Sequence, residues 1–264
     1  MSLSDELTVA YNRTGPAWPL GPARVYDRLA DVVAGSCPVP LPGARVLDLG
    51  AGTGAAGRAA ERRGAEVVAL DVAVGMLASM PPPRPCAVAG DMVALPFGDG
   101  LFDAVLAAFS LNHLTSPVDG MREARRVLRP GGGLVAGTFA ADDGHPAREA
   151  VRAAALERGW TPPAWSAVLR TTAMPLLATV EQAEAVGRAA GFVDVVAAHE
   201  QVPFPDLGVD DLVRWRLGLP EMAPFVAGLS PAERDALVAD AAARLPGAPM
   251  LVRSVIVLRC RVGQ

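Results

Sequence analysis

The 264-residue sequence contains no lysine and only one isoleucine, Ile256, so all 24 of its basic residues are arginines. Together with the abundant Ala, Arg, Gly and Pro residues, these shortages indicate a GC-rich bacterial genome. The arginines are scattered along the chain, and the net charge is −4. Because nucleic-acid binding usually needs a basic surface that neutralises phosphates, we expect no nucleic-acid partner.

Long apolar runs are also missing, although 51% of the residues are hydrophobic. No run reaches the roughly 18 apolar residues that span a membrane, so no membrane partner is expected. The N-terminal stretch MSLSDELTVAYNRTG lacks a basic region followed by an apolar one, which predicts a cytoplasmic protein without a signal peptide. The three cysteines, Cys37, Cys86 and Cys260, are far apart and odd in number, so we expect neither a disulfide framework nor a metal site.

The length suits one domain with elaborations, in which we distinguish three regions. An N-terminal helical cap is predicted over 1–42, because apolar residues recur at helical intervals and the proline-rich CPVPLPG stretch then marks a boundary. Over 43–140, strand and helix patterns alternate, which is typical of a parallel sheet covered by helices. Residues 141–264 are predicted to complete the same domain.

Local patterns predict the individual elements. Strands are predicted at 45–49, 66–71, 86–91, 102–109, 133–139, 192–202 and 251–262. Helices are predicted at 24–33, 145–160, 209–218 and 230–245, with a further one that Thr179 caps and that runs to Ala190. Ser116 and Asp119 form a capping-box pattern at the start of the helix before the fifth strand, and Ser230 begins a similar pattern.

A glycine-rich loop follows the first core strand in the stretch VLDLGAGTGAAG (46–57). Gly52, Gly54 and Gly57 satisfy the G-x-G-x-x-G pattern of dinucleotide-binding loops. From Asp48 onward, the same letters form D-x-G-x-G-x-G, a pattern of folds that bind S-adenosylmethionine (SAM). Asp71 ends the second strand, where an acid accepts hydrogen bonds from a ribose diol in either cofactor family. The loop and Asp71 therefore leave both cofactors open.

Two longer stretches resolve this choice. The sequences GDMVALPFGDGLFDAVLAAFSLNHL (90–114) and EARRVLRPGGGLV (123–135) resemble the class I SAM-dependent methyltransferases, in particular the small-molecule type of ubiquinone and menaquinone biosynthesis and of natural-product pathways. The resemblance is strong over 44–140 and weak over the remainder. Dehydrogenases do not combine these motifs, so we reject a nicotinamide cofactor.

The resemblance implies an α/β Rossmann-like sheet of seven strands in the order 3-2-1-4-5-7-6, with the last strand antiparallel. It also implies SAM as the cofactor and S-adenosylhomocysteine as its product. Gly50, Ala51 and Gly52 are expected to let the backbone approach the methionine part of SAM. Asp48 is expected to orient this loop and the amino group, and Asp71 is expected to bind the ribose hydroxyls.

The resemblance assigns the other end of the cofactor to later strands. Val72 is expected to flank the adenine, Asp91 to meet its amino group, and Met92 to pack beside the ring. Phe109 and Ser110 end the fourth strand and are expected near the sulfonium. A plainer alternative for Asp91 is that its side chain only caps a turn.

His113 is the candidate catalytic residue, because it follows the fourth strand beside the expected methyl donor and an imidazole titrates near neutral pH. The alternative is that its ring only holds the loop. The resemblance suggests that Tyr11 closes over the cofactor from the N-terminal segment. All four tryptophans lie outside the core, which favours an apolar or aromatic acceptor covered by segments 145–178 and 207–246.

These expectations together describe an enzyme that transfers a methyl group from SAM to a small acceptor of secondary metabolism by in-line displacement. SAM supplies the reactivity, so the protein has to supply placement and exclusion of water. Two alternatives stay open: an enzyme of the same fold that catalyses a cyclisation, and a non-catalytic SAM-binding subunit. A monomer or a homodimer is expected.

Overall fold

The chain folds around one mixed β-sheet of seven strands in the computed structural model, which describes residues 2–247 and 249–264. In chain order the strands are β1 (Arg45–Leu49), β2 (Glu66–Asp71), β3 (Cys86–Ala89), β4 (Phe102–Ala108), β5 (Leu128–Phe139), β6 (Val193–Phe204) and β7 (Leu251–Arg261). Their order is β3-β2-β1-β4-β5-β7-β6; the first five pair in parallel, and β7 runs antiparallel to β5 and β6. The predicted sheet, its strand order and its antiparallel last strand are confirmed.

Helices connect and flank the strands. They are α1 (Leu3–Thr14), α2 (Pro22–Gly35), α3 (Ala55–Glu61), α4 (Val74–Ala78), α5 (Pro117–Val127), α6 (Pro146–Leu156), α7 (Ala164–Val168), α8 (Val180–Ala189), α9 (Val209–Leu217), α10 (Ala223–Ala227) and α11 (Pro231–Ala243). Short 3-10 or π turns cover Gly15–Leu20, Leu111–His113, Leu169–Ala173 and Met174–Leu177. Within the described ranges, no helix is both long and apolar enough to cross a membrane.

Two of the three predicted helix caps are present. The side chains of Thr179 and Ser230 accept hydrogen bonds from backbone amides in the first turns of α8 and α11. The prediction at Ser116 is wrong in its side-chain part, because Ser116 makes no capping hydrogen bond. Its ψ of 82° differs from the 162° and 161° of the two working caps, so its hydroxyl is not directed at the first turn. Proline at the first position starts α5 instead.

The fifth strand begins earlier than predicted. Leu128 pairs with Phe102 and Gly133 pairs with Ala104, so the segment between them forms an irregularity within β5. Gly131 allows this bulge, because its φ of 73° lies in the left-handed region that side chains disfavour. The residues just before the predicted start at 133 are therefore part of the strand.

The core lies on both faces of the sheet. Adjacent residues of β1 point to opposite faces, so Val46 joins one hydrophobic cluster and Leu47 joins the other. Leu29 of α2 packs in the first cluster, and Met121 and Val127 of α5 pack in the second. This three-layer arrangement buries the apolar face of α5 and makes α2 part of the core.

Helix α1 lies over the edge of the sheet where the parallel strands end. The Asn12 side chain accepts a 2.7 Å hydrogen bond from the Gly75 amide in α4. The Tyr11 side chain reaches the turn after β4. The N-terminal segment thus covers the strand ends, while the division into 1–42, 43–140 and 141–264 remains a prediction.

Candidate cofactor and acceptor site

One cleft at the carboxyl ends of the strands is lined by every residue predicted for the site. These residues are Tyr11, Asp48, Gly50, Ala51, Gly52, Asp71, Val72, Asp91, Met92, Phe109, Ser110 and His113. The cleft measures about 1070 Å³ including its solvent-open mouth. Open α/β sheets bind ligands at this position, so the spacing along the sequence and the fold converge on one site.

The glycine loop comes very close to the end of β4. Gly50 has a φ of 71°, and a Cβ atom added to it would lie 2.3 Å from the Cβ of Ser110. The Ser110 hydroxyl donates a 2.6 Å hydrogen bond to the carbonyl of Leu49, which locks the two strand ends together. Only glycine meets both the conformational and the steric requirement at this position.

Asp71 holds the loop from the end of β2. Its Oδ2 accepts a 2.7 Å hydrogen bond from the Gly52 amide, and its Oδ1 accepts one of 2.7 Å from the Ala73 amide. Burial raises the pKa of this carboxyl, and the backbone hydrogen bonds lower it. A carboxylate has about four lone-pair sites, so it can accept two further hydroxyl hydrogen bonds from the cleft. The site therefore fits a ribose diol.

Asp48 is the most deeply buried acid of the site, with 1% of its surface exposed. Its Oδ2 accepts a 2.7 Å hydrogen bond from the Gly57 amide at the start of α3. Burial raises the pKa of Asp48 to about 7, against the lowering effect of this hydrogen bond. Asp48 thus joins the end of β1 to the start of α3, while its roles in orienting the loop and contacting an amino group remain predictions.

Asp91 and Met92 lie at the mouth of the cleft, after β3. The Asp91 side chain is exposed and accepts a 3.0 Å hydrogen bond from the Val93 amide, so it does cap a turn. Because one carboxylate oxygen accepts this bond, the other remains available to a ligand in the cleft. The two interpretations of Asp91 are therefore compatible, and its adenine contact remains a prediction.

His113 is joined to Tyr11 across the cleft. The Tyr11 hydroxyl lies 3.0 Å from Nε2 of His113, and Nδ1 lies 3.2 Å from the Ser110 carbonyl oxygen. A carbonyl only accepts, so the neutral ring carries its proton on Nδ1 and accepts from Tyr11 at Nε2. Burial lowers the pKa of His113 to about 4. The expectation that this ring titrates near neutrality is wrong, because burial disfavours its charged form.

Phe109 is held in an unusual conformation where β4 ends. Its φ is 60°, which non-glycine residues rarely adopt, and its amide donates a 2.8 Å hydrogen bond to the Gly137 carbonyl. Its ring packs against Phe139 at 4.6 Å and meets Tyr26 edge-on at 5.9 Å. Backbone strain of this kind concentrates at functional sites. Phe109 therefore turns the strand end into the wall of the cleft.

A second cleft continues from the first beyond Phe109. The two share Tyr11, Tyr26, Phe109 and His113, and the second measures about 1490 Å³ including its open mouth. Trp165 and Trp215 line the second cleft. The other two tryptophans do not: Trp18 lines the first cleft, and Trp160 is buried with its Nε1 donating to the Glu221 carbonyl.

Charged residues of the second cleft escaped sequence analysis. They are Arg148, Arg170, Arg216, Arg253, Asp143 and Glu221. They come from α6, the Leu169–Ala173 turn, α9, β7 and the loops after β5 and α9. No local pattern distinguishes them from the other scattered arginines and acids, because only the fold brings them together.

The sheet order, the glycine loop and the cleft at the strand ends define the class: an α/β protein whose cleft suits a nucleoside-containing ligand. Comparison with known proteins narrows this class. Residues 47–136 match the family profile described as a methyltransferase domain. The demethylmenaquinone methyltransferase of Renibacterium salmoninarum is 38% identical over 140 residues, which are 52% of this chain and 57% of that protein. The chain thus matches little more than half the length of this curated relative.

Solved structures show the same fold. A methyltransferase assigned to an antibiotic biosynthesis pathway of Anabaena variabilis superposes with a TM-score of 0.61 at 17% identity, covering 87% of this chain and 96% of that one. The [4+2]-cyclase SpnF superposes with a TM-score of 0.54 at 24% identity, covering 90% and 80%. The fold therefore does not separate methyl transfer from cyclisation.

Residues 47–136 therefore resemble a methyltransferase domain, and over about half of its length the chain is similar to a demethylmenaquinone methyltransferase. The resemblance seen in the sequence, and with it SAM as the cofactor of this class of domain, is confirmed. The matched residues end at 136, so the second cleft is built mainly by chain outside the profile.

Proposed function

We propose that this protein transfers a methyl group from SAM to a small organic acceptor with a planar ring. The observation that carries the proposal is the continuity of the two clefts at Tyr11, Tyr26, Phe109 and His113. A cofactor in the first cleft and an acceptor in the second meet at these four side chains. In-line displacement requires such an end-to-end arrangement.

The residues of the first cleft suit the cofactor. Asp71 retains lone pairs for two hydroxyl groups, the Gly50–Gly52 backbone lies open beside the Asp48 carboxyl, and Asp91 offers an acceptor at the mouth. When bound, SAM supplies an electrophilic methyl group on a positively charged sulfur. The chain itself binds, orients and excludes water, and orientation alone can contribute about 7–11 kcal/mol.

His113 suits positioning better than proton abstraction. Moving a proton from a phenol with a pKa near 10 to a ring with a pKa of about 4 is uphill by roughly 8 kcal/mol. Its Nε2 lone pair is also bonded to Tyr11. We propose that His113 holds Tyr11 and α1 over the cleft. Its role as general base remains a prediction that applies only if a ligand displaces Tyr11.

Planar acceptors suit the walls of the second cleft. Phe109, Phe139, Trp165 and Trp215 present aromatic rings to it. Helices α6, α7 and α9 contribute to the same walls, so the segments 145–178 and 207–246 are proposed to cover the acceptor. The name of the curated relative contains demethylmenaquinone, which has a planar ring system and is a suitable first probe.

Calorimetric titration with SAM tests the cofactor assignment. Asp71→Asn should weaken SAM binding roughly tenfold or more, because a hydrogen bond to a charged group contributes about 1.5–3 kcal/mol. Asp119→Asn, an exposed substitution on α5, should leave the affinity unchanged and controls for the loss of one charge. Unchanged SAM affinity in a folded Asp71→Asn protein contradicts the ribose assignment, and tight NADH binding by the wild type contradicts the proposed cofactor.

Incubation with methyl-labelled SAM tests the reaction. Label transferred to demethylmenaquinone or to naphthols, with matching formation of S-adenosylhomocysteine, supports methyl transfer. SAM that binds but stays intact while a polyunsaturated substrate isomerises supports the cyclase alternative. SAM that binds with no change in either compound supports a non-catalytic subunit.

A further inference from the structure

The charged residues that line the second cleft are net positive, whereas the protein as a whole is net negative. Its lining contains the arginines 148, 170, 216 and 253 but only two acids, Asp143 and Glu221. The excess is two positive charges (4 − 2), whereas the whole chain has a net charge of −4. A neutral acceptor gives no reason for such a cluster in a partly buried cleft, where unbalanced charge is costly.

The two acids are already paired. Asp143 accepts hydrogen bonds of 2.9 and 2.5 Å from Arg253, whose side chain is 7% exposed. Glu221 lies 2.7 Å from Arg216 and 3.8 Å from Arg170. The positive charge that remains is therefore shared by Arg148, Arg170 and Arg216.

Arg148 is the least constrained member of the cluster. Among the described residues its acidic neighbour is the exposed Glu149, at the limiting distance of 4.0 Å. Burial lowers the pKa of Arg216, Glu221 raises it, and the charges of Arg253 and Arg148 lower it further. Like charges thus repel one another here, and an anion in the cleft would relieve the repulsion.

Two residues that line the same cleft each have a buried polar atom without a partner. Nε1 of Trp215 and Oδ1 of Asn112 make no hydrogen bond within the described part of the chain, and both residues are 3% exposed. Buried polar groups without partners are rare and call for an explanation, such as a bound ligand. The guanidinium carbons of Arg253 and Arg216 lie 4.9 and 5.2 Å from the centroid of the Trp215 ring. The indole N–H therefore adds a donor beside two guanidinium groups.

Asn112 also lines the second cleft and precedes His113, which lines both clefts. Its unpartnered oxygen can only accept, so it calls for a donor such as a hydroxyl or amino group. The cleft therefore offers positive charge and an N–H donor from the arginines and Trp215, and an acceptor at Asn112 next to a residue that the two clefts share. Aromatic rings line the same cleft.

We propose that the acceptor is an aromatic carboxylate, with its carboxylate held by Arg148, Arg216 and Trp215 and its reacting hydroxyl or amino group directed to Asn112. The proposal rests on the proposed function for the identity of this ligand as the methyl acceptor. Guanidinium groups recognise planar carboxylates well, because their N–H donors match the two oxygens. The arginine-containing segments follow residue 136, where the match to the family profile ends.

Binding of 2-naphthoate and of its neutral analogue 2-naphthamide, measured by calorimetry with S-adenosylhomocysteine present, tests the carboxylate. The wild type should bind 2-naphthoate at least tenfold more tightly. Arg148→Gln should weaken naphthoate binding about fivefold to tenfold and leave naphthamide binding unchanged. Arg152→Gln is the matched control, because Arg152 lies on the same helix but stacks on Trp160 outside the cleft.

Several outcomes overturn the proposal. Equal affinity of the wild type for 2-naphthoate and 2-naphthamide overturns it. An equal loss of affinity for both compounds in Arg148→Gln also overturns it. Competition by inorganic phosphate at the same affinity as naphthoate identifies a general anion site instead. Trp215→Phe keeps an aromatic ring but removes the donor, so unchanged naphthoate binding in this folded variant contradicts the assigned role of the indole N–H.

The test separates this proposal from the proposed function. S-adenosylhomocysteine is titrated first, and failure to bind it counts against the cofactor assignment alone. Naphthoate selectivity that persists in that case still supports a carboxylate site. Labelled methyl transfer to demethylmenaquinone without naphthoate selectivity supports the proposed function and overturns the carboxylate.

Discussion

Asp48→Asn should remove a pH dependence from the stability of this protein. The Asp48 carboxyl is buried, and its pKa is raised from 3.8 to about 7 by that burial. Between these two values the folded state binds a proton that the unfolded state has released. The free energy of unfolding therefore falls as the pH rises through this window, and the fall is complete above the folded pKa.

The two pKa values determine the magnitude. Asp48 contributes about 3 kcal/mol of stability at pH 5 relative to pH 8, an order-of-magnitude figure. Asparagine keeps an oxygen that can accept from the Gly57 amide but cannot titrate. The stability difference between wild type and Asp48→Asn should therefore shift by about 3 kcal/mol in favour of the wild type on going from pH 8 to pH 5.

Urea unfolding at pH 5 and pH 8 measures this difference. The shift corresponds to a relative change of about 1 M in the urea midpoint for a protein of this size. The exposed substitution Asp235→Asn on α11 is the control and should give parallel curves. Parallel curves for Asp48→Asn as well would refute the reasoning, since they would mean that the buried carboxyl has the same pKa in both states.

Three further predictions concern the cleft. Gly50→Ala should destabilise the fold by at least about 2 kcal/mol, because its Cβ would meet Ser110 in a left-handed conformation. Gly263→Ala, which has nothing within 4 Å of its Cβ, should leave the melting temperature unchanged. Tyr11→Phe should lower the free energy of unfolding by about 1 kcal/mol and speed amide hydrogen exchange in α1 but not in the sheet. Equal changes of exchange in α1 and the sheet would contradict the covering role of α1. His113→Ala should lower turnover and melting temperature together. The pH profile of wild-type turnover should show no inflection near neutral pH from this ring. A loss of turnover at unchanged melting temperature would instead support His113 as the general base.

Residues close in sequence to strand ends were predictable. Asp48, Asp71 and Asp91 each follow a strand pattern, and parallel strands place their carboxyl ends at one edge of the sheet. That rule brought these three acids to one cleft without knowledge of any distance, whereas Tyr11 of α1 was expected there only from the resemblance. The cap at Ser116 was not predictable in the same way, because its backbone angle depends on the loop before it.

The pKa of His113 and its hydrogen bond to Tyr11 could not be predicted from the sequence. Its partner Tyr11 lies 102 positions away, and burial of the ring depends on how α1 crosses the strand ends. A sequence pattern gives the ordinary pKa of an imidazole, whereas desolvation by distant residues gives the actual one. The general-base hypothesis followed from the ordinary pKa of an imidazole and is weakened by the lowered pKa of the buried ring.

The sequence by itself predicted the strands and the glycine loop, because alternating apolar patterns and glycine spacing are local properties. Its resemblance to a known family supplied the strand order and the residues expected around the cofactor. The tertiary structure alone decided the acceptor side. Arg148, Arg216 and Arg253 come from two helices and the last strand, and nothing in their neighbouring residues marks them. Charge in a cleft is the sum over side chains that the fold brings together, so it becomes visible only when the chain is packed.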